Sequence, residues 1–250
     1  VAVPVLVAAL GVGFKAFTTP ALGDLERVDL AGKTFVITGA TSGLGQWQAE
    51  VLHGWGASLV LPVRDTKRGV SFAARLAKAN PKSPKPMVEK LDLDSFSSVR
   101  DFAKRYTGPV DVLVHNAAVL GSGAVVRTKD GFEECLQVNY LSTFLLTSLL
   151  LDRIEASPAG RVVHVSAKAH EWANISVAAM RTEKVLGPDF VWRQEMPMGN
   201  LGGSYADSKL AQILFSAALQ RRLKPSAVSH SLHPAIVKTG LLRDMPEQGP

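Results

Sequence analysis

Short apolar runs alternate with longer stretches of helical periodicity along most of the chain. Short runs of apolar, often β-branched residues are typical of buried strands, and apolar residues three or four apart are typical of amphipathic helices. The predicted strands are Thr34–Thr38, Ser58–Val63, Met87–Leu91, Val110–His115, Arg161–Ser166 and Val228–Leu232. The predicted helices are Leu44–Trp55, Lys67–Ala79, Ser97–Lys104, Gly131–Leu151 and Ser204–Leu223. This alternation predicts an α/β fold with one doubly wound parallel sheet and helices on both faces.

The N-terminal segment differs from the rest of the chain because Val1–Phe14 contains no charged side chain. A helix needs about 20 apolar residues to cross a bilayer, so this segment is too short to span one by itself. We interpret residues 1–29 as an apolar arm and a linker, and residues 30–250 as one domain. The arm either contacts a membrane or packs on the domain or on a partner, and the sequence leaves both open.

Composition narrows the classes of function. The 250 residues fit one large domain, and 46% hydrophobic with 20% charged residues is typical of a folded protein. The formal net charge is +6, but the basic residues are spread among acidic ones, so no basic stripe indicates nucleic-acid binding. One cysteine, Cys135, excludes an internal disulfide, and the six histidines show no metal-ligand spacing. No metal site is predicted.

The first predicted strand leads into a glycine-rich sequence, TGATSGLG at Thr38–Gly45, and then into a helix. Glycines allow the backbone to turn tightly and to approach a pyrophosphate without an intervening Cβ. The following helix offers free N–H groups and the positive end of its dipole to the phosphates. Placed between a strand and a helix, this motif predicts a Rossmann-type dinucleotide-binding domain.

The residues at the end of the second predicted strand indicate which dinucleotide is bound. An acidic side chain there would hydrogen-bond the ribose 2′-hydroxyl of NAD, whereas an arginine accommodates the 2′-phosphate of NADP. Val63 occupies the position of the acid and Arg64 follows it, with Lys67 and Arg68 close by. These residues favour NADP(H), and the alternative is a solvated basic turn.

Tyr205 and Lys209 are four residues apart in the last predicted helix, so their side chains share one face. A nearby cation favours the phenolate form of a tyrosine. We therefore expect Lys209 to lower the pKa of Tyr205 towards neutral pH, where the hydroxyl would work as a general acid or base.

Several further motifs occur in the order that one enzyme family shows. They are the glycine-rich turn, Asp92 and Leu93 after the third strand, Asn116 and Ala117 after the fourth, Asn139 in a helix, and Tyr205 with Lys209. With these motifs, residues 30–245 resemble the classical short-chain dehydrogenase/reductase family. The resemblance implies an oxidoreductase in which a nicotinamide exchanges hydride with the carbon of a carbonyl or alcohol.

The resemblance also implies a role for each position. The residues that would contact the cofactor are Thr38, Gly39, Thr41, Ser42, Gly43, Leu44 and Gly45 at the pyrophosphate, Asp92 and Leu93 at the adenine, and Asn116 and Ala117 at the adjacent ribose. Tyr205 would be the general acid/base, Lys209 would bind the nicotinamide ribose, and Asn139 would hold a water of the proton relay. Thr239 would contact the nicotinamide carboxamide or the phosphates.

Local strings resemble the retinol dehydrogenase and protochlorophyllide reductase-like group within this family. They are Arg64-Asp65, LDLDSFSSVRDFA (91–103), TKDGFEECLQVNYLSTFLLTSLLL (128–151), RVVHVSAKAH (161–170) and HPAIVKTGLLR (233–243). Many members of that group use NADP(H), act on apolar alcohols or carbonyls and lie at membranes. The resemblance therefore implies an apolar small-molecule substrate and a membrane-associated location, at the endoplasmic reticulum or another organelle, with membrane contact through residues 1–14.

The chain departs from the family pattern at the end of the fifth predicted strand. The group has Val-Ser-Ser there, and its second serine hydrogen-bonds the substrate oxygen, whereas this chain has Val165-Ser166-Ala167. Loss of one such donor typically lowers the rate by about 10²–10³. Ser166 points to the other side of a regular strand, so it would serve as the catalytic serine only if the strand end were bulged. Ala118 and Ala235 stand where glycines are usual.

Two features of length bear on the function. Residues 171–203 form an insertion, longer than the matching segment of most family members, whose aromatic and methionine side chains would line an apolar substrate site or an interaction surface. The sequence ends eleven residues after Thr239, so we expect the C-terminal lid helix and last strand of the family to be truncated. We weigh an NADP(H)-dependent oxidoreductase against a catalytically weakened or inactive subunit of a larger, membrane-bound complex, docked through residues 171–203.

Overall fold

The computed structural model describes residues 26–120, 126–175 and 203–234 of the chain. Its strands are β1 (Thr34–Ile37), β2 (Ser58–Val63), β3 (Met87–Lys90), β4 (Val112–His115), β5 (Gly160–Val165) and β6 (Ala227–Leu232). They form one six-stranded sheet in the order β3-β2-β1-β4-β5-β6, and every neighbouring pair is parallel. The prediction of one parallel sheet is confirmed. The N-terminal arm and most of the insertion lie outside the described residues.

Helices connect the strands. Within the described residues, the α-helices are α1 (Gly43–Gly54), α2 (Thr66–Ala79), α3 (Phe96–Arg105), α4 (Ser142–Ala156) and α5 (Ser204–Gln220). A π-helical segment, Leu136–Leu141, leads directly into α4, and a 3₁₀ turn, Lys168–Trp172, follows β5. The helix predicted to begin at Gly131 therefore has two parts, and its first residues are not helical.

A side-chain cap sets the later start of this helix. Gly131 lies in a turn in which its N–H group donates to the carbonyl of Thr128, at 3.0 Å. The Glu133 carboxylate then accepts hydrogen bonds from the N–H groups of Cys135 and Leu136, at 3.1 and 2.8 Å. Because these N–H groups begin the helical path, Glu133 satisfies donors that no preceding helical turn can reach.

The sheet is covered on both faces, because alternate residues of its strands enter two separate hydrophobic cores. Val36 of β1 belongs to the core that includes Phe102 of α3 and Leu150 of α4. Its neighbour Ile37 belongs to the core that includes Leu76 of α2. This division confirms the predicted doubly wound, Rossmann-type arrangement.

The strand order reverses between β1 and β4, which are neighbours in the sheet but not in the sequence. In open parallel sheets, the crevice at the carboxyl ends of such strands is the usual place for a ligand. Among the described residues, none of the helices is both long enough and apolar enough to serve as a membrane span.

Two buried histidines pair across the middle of the sheet. His115 of β4 and His164 of β5 are register partners, and their ring centroids are 4.9 Å apart. The Nε2 atom of His115 lies 2.7 Å from the hydroxyl of Thr147. Within the described part of the chain, Nδ1 of His115 and both ring nitrogens of His164 have no hydrogen-bond partner. Burial lowers the pKa of both rings, that of His164 to about 3, so both are neutral at pH 7.

This pair predicts an acid-sensitive fold. The unfolded chain accepts protons on histidine below about pH 6.5, whereas the folded protein excludes them, so stability is present above that pH and is lost as the pH falls. At pH 5.5 each ring should lower the free energy of unfolding by about 1.4 kcal/mol relative to pH 7.5. Urea unfolding at the two pH values measures this loss.

The double variant His115→Asn/His164→Asn should lose most of this pH dependence. The matched control is His230→Asn, because His230 is exposed on β6, and it should keep the wild-type dependence. A wild-type protein that is equally stable at pH 5.5 and pH 7.5 would contradict the prediction.

Candidate active site

The glycine-rich turn packs directly against the loop that follows β4. Gly39 and Gly43 have φ values of 68° and 53°, in the left-handed region that favours glycine. A Cβ on Gly39 would lie 2.8 Å from the Cα atom of Ala117, and one on Gly45 would lie 2.3 Å from Nδ2 of Asn116. The two loops can approach each other only because these positions carry no side chain.

Hydrogen bonds hold the two loops together. The Asn116 side chain donates to the carbonyls of Thr38 and Gly39, at 3.0 and 3.2 Å. The Thr38 hydroxyl donates to the carbonyl of Val114 and accepts from the N–H groups of Asn116 and Ala117. The side chains of Thr38 and Asn116, which the sequence assigned to the cofactor, therefore form the scaffold of the turn in this structure.

The N-terminus of α1 opens out of this turn. Ser42, the residue before the helix, is extended, and its side chain makes no capping hydrogen bond. The first turn of α1 contains no acidic side chain, Gly43 is exposed, and Thr41 and Leu44 are half-buried. Because the first N–H groups of a helix have no partner within it, this end of α1 is suited to an anionic ligand.

Basic side chains from the end of β2 and the start of α2 lie close to the glycine-rich turn. Arg64 is exposed directly after β2, and its carbonyl accepts a hydrogen bond from Nζ of Lys90 at 2.6 Å. The guanidinium of Arg68, on α2, donates to the carbonyl of Thr41 at 2.9 Å. Asp65 caps α2 by accepting from the N–H group of Arg68 at 3.1 Å. Arg68 is thus tied to the glycine-rich turn, and the sequence had indicated only that it lies nearby.

Asp92 and Leu93 follow β3 and have different environments. Burial by itself would raise the pKa of Asp92, but the hydrogen bond and charge of Lys129 and the charge of Arg64 hold this pKa below its usual value. The Lys129 ammonium lies 2.6 Å from the carboxylate. The Leu93 side chain is buried in the core beside α3 and α4. Of the two, only Asp92 presents a polar group near the arginine.

Tyr205 and Lys209 are both buried on α5. The Lys209 ammonium donates to the carbonyl of Val165, the last residue of β5, at 2.9 Å, and lies 5.5 Å from the centre of the Tyr205 ring. The expected lowering of the Tyr205 pKa by this cation is wrong for the chain alone, because burial raises that pKa to about 12. Burial also lowers the pKa of Lys209 to about 8.

Asn139 lies in the π-helical segment and joins three parts of the site. Its side chain accepts from the N–H group of Val119 at 2.8 Å and donates to the carbonyl of the same residue at 2.9 Å. It also lies 3.0 Å from the hydroxyl of Ser208 on α5. The Asn139 side chain therefore holds the loop after β4 against α5.

Ser166 and Ala167 take opposite directions at the end of β5. The pairing of β5 with β6 is regular up to Val165, so the bulge that Ser166 would need to act as catalytic serine is absent from this stretch. The Ser166 hydroxyl donates to the main-chain carbonyl of Lys209 at 2.9 Å. Ala167 packs instead against the cluster that contains Tyr205. The structure thus corrects the assignment of Ser166, because Ala167 is the residue on the Tyr205 side.

Sequence reasoning missed two of the residues at this site. Lys129 pairs with Asp92 across 37 positions of sequence, a contact that no local pattern signals. Gln212 accepts a hydrogen bond from the Lys209 ammonium at 3.2 Å. Helical spacing could have found it, because it follows Lys209 by three residues on the same face. Thr239, expected near the nicotinamide, lies outside the described residues.

Comparison with known proteins identifies the family. Residues 33–185 match the family described as short chain dehydrogenase. The chain belongs to the short-chain dehydrogenase family. It is similar to retinol dehydrogenase 12 of Bos taurus, with 37% identity over 220 residues that cover 86% of this chain and 65% of the relative. The chain thus spans less than two thirds of the length of this relative.

Solved structures agree with this membership. A protein from Mycobacterium paratuberculosis has a TM-score of 0.67 and 34% identity, over 89% of this chain and 74% of that one. A short-chain dehydrogenase from Shigella flexneri 2a strain 301, complexed with NADP, has a TM-score of 0.68 over 90% of this chain and 86% of that one. At 21% identity, this second likeness shows the fold alone.

Within the short-chain dehydrogenase family, the matched residues 33–185 include the glycine-rich turn, Asn116, Asn139 and Ala167. Tyr205 and Lys209 follow the matched region, and the structure brings them back to the carboxyl end of β5. The fold of a short-chain dehydrogenase therefore joins the two parts of the candidate site through the contact of α5 with β5.

The packed turn predicts a specific sensitivity at Gly45. A methyl group there would meet the Asn116 side chain and the carbonyl of Gly39, so Gly45→Ala should lower the free energy of unfolding by about 1–3 kcal/mol. Gly54→Ala is the matched control, because its Cβ would meet nothing nearer than 3.7 Å. Urea unfolding compares the two, and equal stabilities would contradict the packing argument.

Proposed function

We propose that the protein is an NADP(H)-dependent oxidoreductase that transfers hydride between the nicotinamide and an apolar alcohol or carbonyl. The observation that carries this proposal is the burial of Tyr205 with Lys209 at the carboxyl end of β5, on the same edge of the sheet as the glycine-rich turn. A tyrosine beside a buried ammonium is a proton donor or acceptor for a reacting oxygen. When bound, the cofactor would supply or accept the hydride.

The residues of the chain fit a proton transfer at the Tyr205 hydroxyl. Because burial raises its pKa to about 12, this hydroxyl is protonated at neutral pH and can donate to the developing alkoxide during reduction. The Lys209 ammonium, 5.5 Å from the ring centre, would stabilise the phenolate that remains. The apolar neighbours Leu120 and Ala169 exclude water from the ring and strengthen this electrostatic effect.

The choice of NADP(H) is supported by the cations beside the turn. Arg64 stands exposed after β2, and Arg68 holds its guanidinium at the carbonyl of Thr41. Val63, in the place where an acid would bind the 2′-hydroxyl of NAD, is buried and apolar. The free N-terminus of α1 and the glycine cradle fit the pyrophosphate.

An apolar substrate is supported by the surroundings of Tyr205 and by the relative. Tyr205 belongs to a cluster with the apolar side chains of Leu120 and Ala169, and burial against such side chains favours an apolar substrate. The similar bovine protein is named a retinol dehydrogenase. Membrane association through residues 1–14 belongs to the same proposal and rests on their uncharged sequence.

Ala167 favours a second candidate function. Ala167, which packs against the cluster that contains Tyr205, has no hydroxyl, and the hydroxyl of Ser166 donates to a main-chain carbonyl of α5. Losing one donor to the substrate oxygen typically costs about 10²–10³ in rate. The second candidate is accordingly a catalytically weakened or inactive subunit of a larger complex, with residues 171–203 as the docking segment.

Turnover distinguishes the two candidates. The wild-type protein should oxidise NADPH slowly with some member of a panel of apolar aldehydes and ketones, and Ala167→Ser should raise kcat by about 10²–10³ because it restores the missing donor. Ala173→Ser adds a hydroxyl at the edge of the same cluster and serves as the matched control. Tyr205→Phe should abolish turnover in both backgrounds.

If neither the wild type nor Ala167→Ser turns over any carbonyl in the panel, the oxidoreductase proposal is overturned. Copurification of the inactive protein with other subunits in stoichiometric amounts would then support the second candidate.

The cofactor preference is tested by binding. Arg64→Ser should raise the dissociation constant of NADPH roughly 10-fold or more and leave that of NADH unchanged, because a charge-assisted bond to the 2′-phosphate is lost. Arg75→Ser is the matched control, since Arg75 lies on α2 in an ion pair with Glu50. If Arg64→Ser weakens the binding of NADPH and NADH equally, Arg64 does not bind the 2′-phosphate.

A further inference from the structure

The carboxamide of Gln212 forms a buried bridge between two elements of the candidate active site. Gln212 lies on α5 and is fully buried. Its Oε1 atom accepts a hydrogen bond from the Lys209 ammonium at 3.2 Å. Its Nε2 atom donates to the main-chain carbonyl of Asn139, in the π-helical segment, at 2.7 Å. One side chain thus joins the ammonium to the backbone of a second helix.

The orientation of this bridge is determined by its partners. The carbonyl of Asn139 can only accept, and the ammonium of Lys209 can only donate, so the amide nitrogen must face Asn139 and the amide oxygen must face Lys209. The Thr143 hydroxyl lies 3.2 Å from the same Asn139 carbonyl. π-Helical segments often occur at functional sites, and here the segment offers its carbonyl to side chains.

We propose that Gln212 is a positioning residue that ties the Lys209 ammonium to the backbone of Asn139 and holds it beside the Tyr205 ring. The proposal rests on the proposed function, in which Lys209 assists Tyr205. A carboxamide with both ends engaged cannot exchange donor for acceptor, so Gln212 offers its oxygen to Lys209 permanently.

The titratable groups around Lys209 carry no negative charge at neutral pH, so its two oxygen partners stabilise the ammonium. The titratable neighbours are Tyr205 on α5, His164 on β5 and Cys135, directly before the π-helical segment. Burial raises the pKa of the tyrosine hydroxyl and of the thiol and lowers that of the imidazole, so all three are uncharged at neutral pH. The ammonium is therefore stabilised by the carbonyl of Val165 and by Gln212, without a counter-ion among these neighbours.

The titration of Lys209 tests the bridge without cofactor or turnover. In full-length protein with ¹³C-labelled lysine, the Lys209 signal is the one missing from Lys209→Met, and its pKa is read from the pH dependence of the shift. Gln212→Met keeps the length of the side chain and removes the acceptor, so the pKa should fall by about one pH unit or more. Gln212→Glu places a carboxylate beside the ammonium and should raise it above the wild-type value.

Gln137→Met is the matched control for loss of a buried amide. Gln137 is also fully buried, lies in the π-helical segment and hydrogen-bonds Asp130 and Thr128 rather than Lys209. It should leave the Lys209 titration unchanged. An unchanged titration in both Gln212 variants, or an equal change in Gln137→Met, would overturn the positioning role.

Measurements of turnover distinguish a failure of the Gln212 proposal from a failure of the proposed oxidoreductase activity. In an active background such as Ala167→Ser, the basic limb of the kcat profile should move with the Lys209 pKa in each Gln212 variant, with little change in the KM for the carbonyl. A shifted titration with no turnover in any background would refute the proposed oxidoreductase and leave the bridge supported. If the Lys209 pKa shifts but the pH dependence of kcat stays unchanged, the proposal that Gln212 positions Lys209 for the reaction is refuted.

Discussion

The close approach of two loops, the glycine-rich turn after β1 and the segment after β4, is the contact on which the rest of the site depends. The Asn116 amide donates to two carbonyls of the turn, and the Thr38 hydroxyl accepts hydrogen bonds from the N–H groups of Asn116 and Ala117. That exchange leaves no space for a Cβ at Gly39 or Gly45. It joins neighbouring strands at the point where their order reverses, so the same contact shapes the crevice and directs the N-terminus of α1 into it.

A second constraint is the burial of the Lys209 ammonium. A buried charge is costly unless it is hydrogen-bonded, and two of the three N–H groups of this ammonium donate to oxygen atoms of the protein itself. Its position is therefore set by the end of β5 and, through Gln212, by the backbone of Asn139. The same contacts fix the distance between the ammonium and the Tyr205 ring, and so the electrostatic effect of the charge on the tyrosine. The candidate catalytic pair is thus held by the core of the fold rather than by surface loops.

The sequence predicted features that depend on neighbouring residues more accurately than features that depend on burial or on side-chain contacts. The strands lie within about two residues of their predicted ends, because central strands of a parallel sheet are continuous apolar runs between turn residues. The start of the helix predicted at Gly131 was wrong, because the Glu133 carboxylate caps it at the next turn. The pKa of Tyr205 was also wrong in direction, because spacing shows that a cation is near but not how deeply the ring is buried.

By itself, the amino-acid sequence determined the order of strands and helices, the glycine-rich turn, the basic end of β2 and the family. The strands, helices and turn depend on the preferences of residues close together along the chain, whereas the family is recognised by resemblance, from the order of its motifs. Only the tertiary structure decided that the Ser166 hydroxyl donates to the carbonyl of Lys209, that Arg68 reaches the turn, and that Gln212 bridges to Asn139. The physical reason is distance along the chain: Asn116 meets Thr38 across 78 positions and Gln212 meets Asn139 across 73, contacts that exist only once the sheet has assembled.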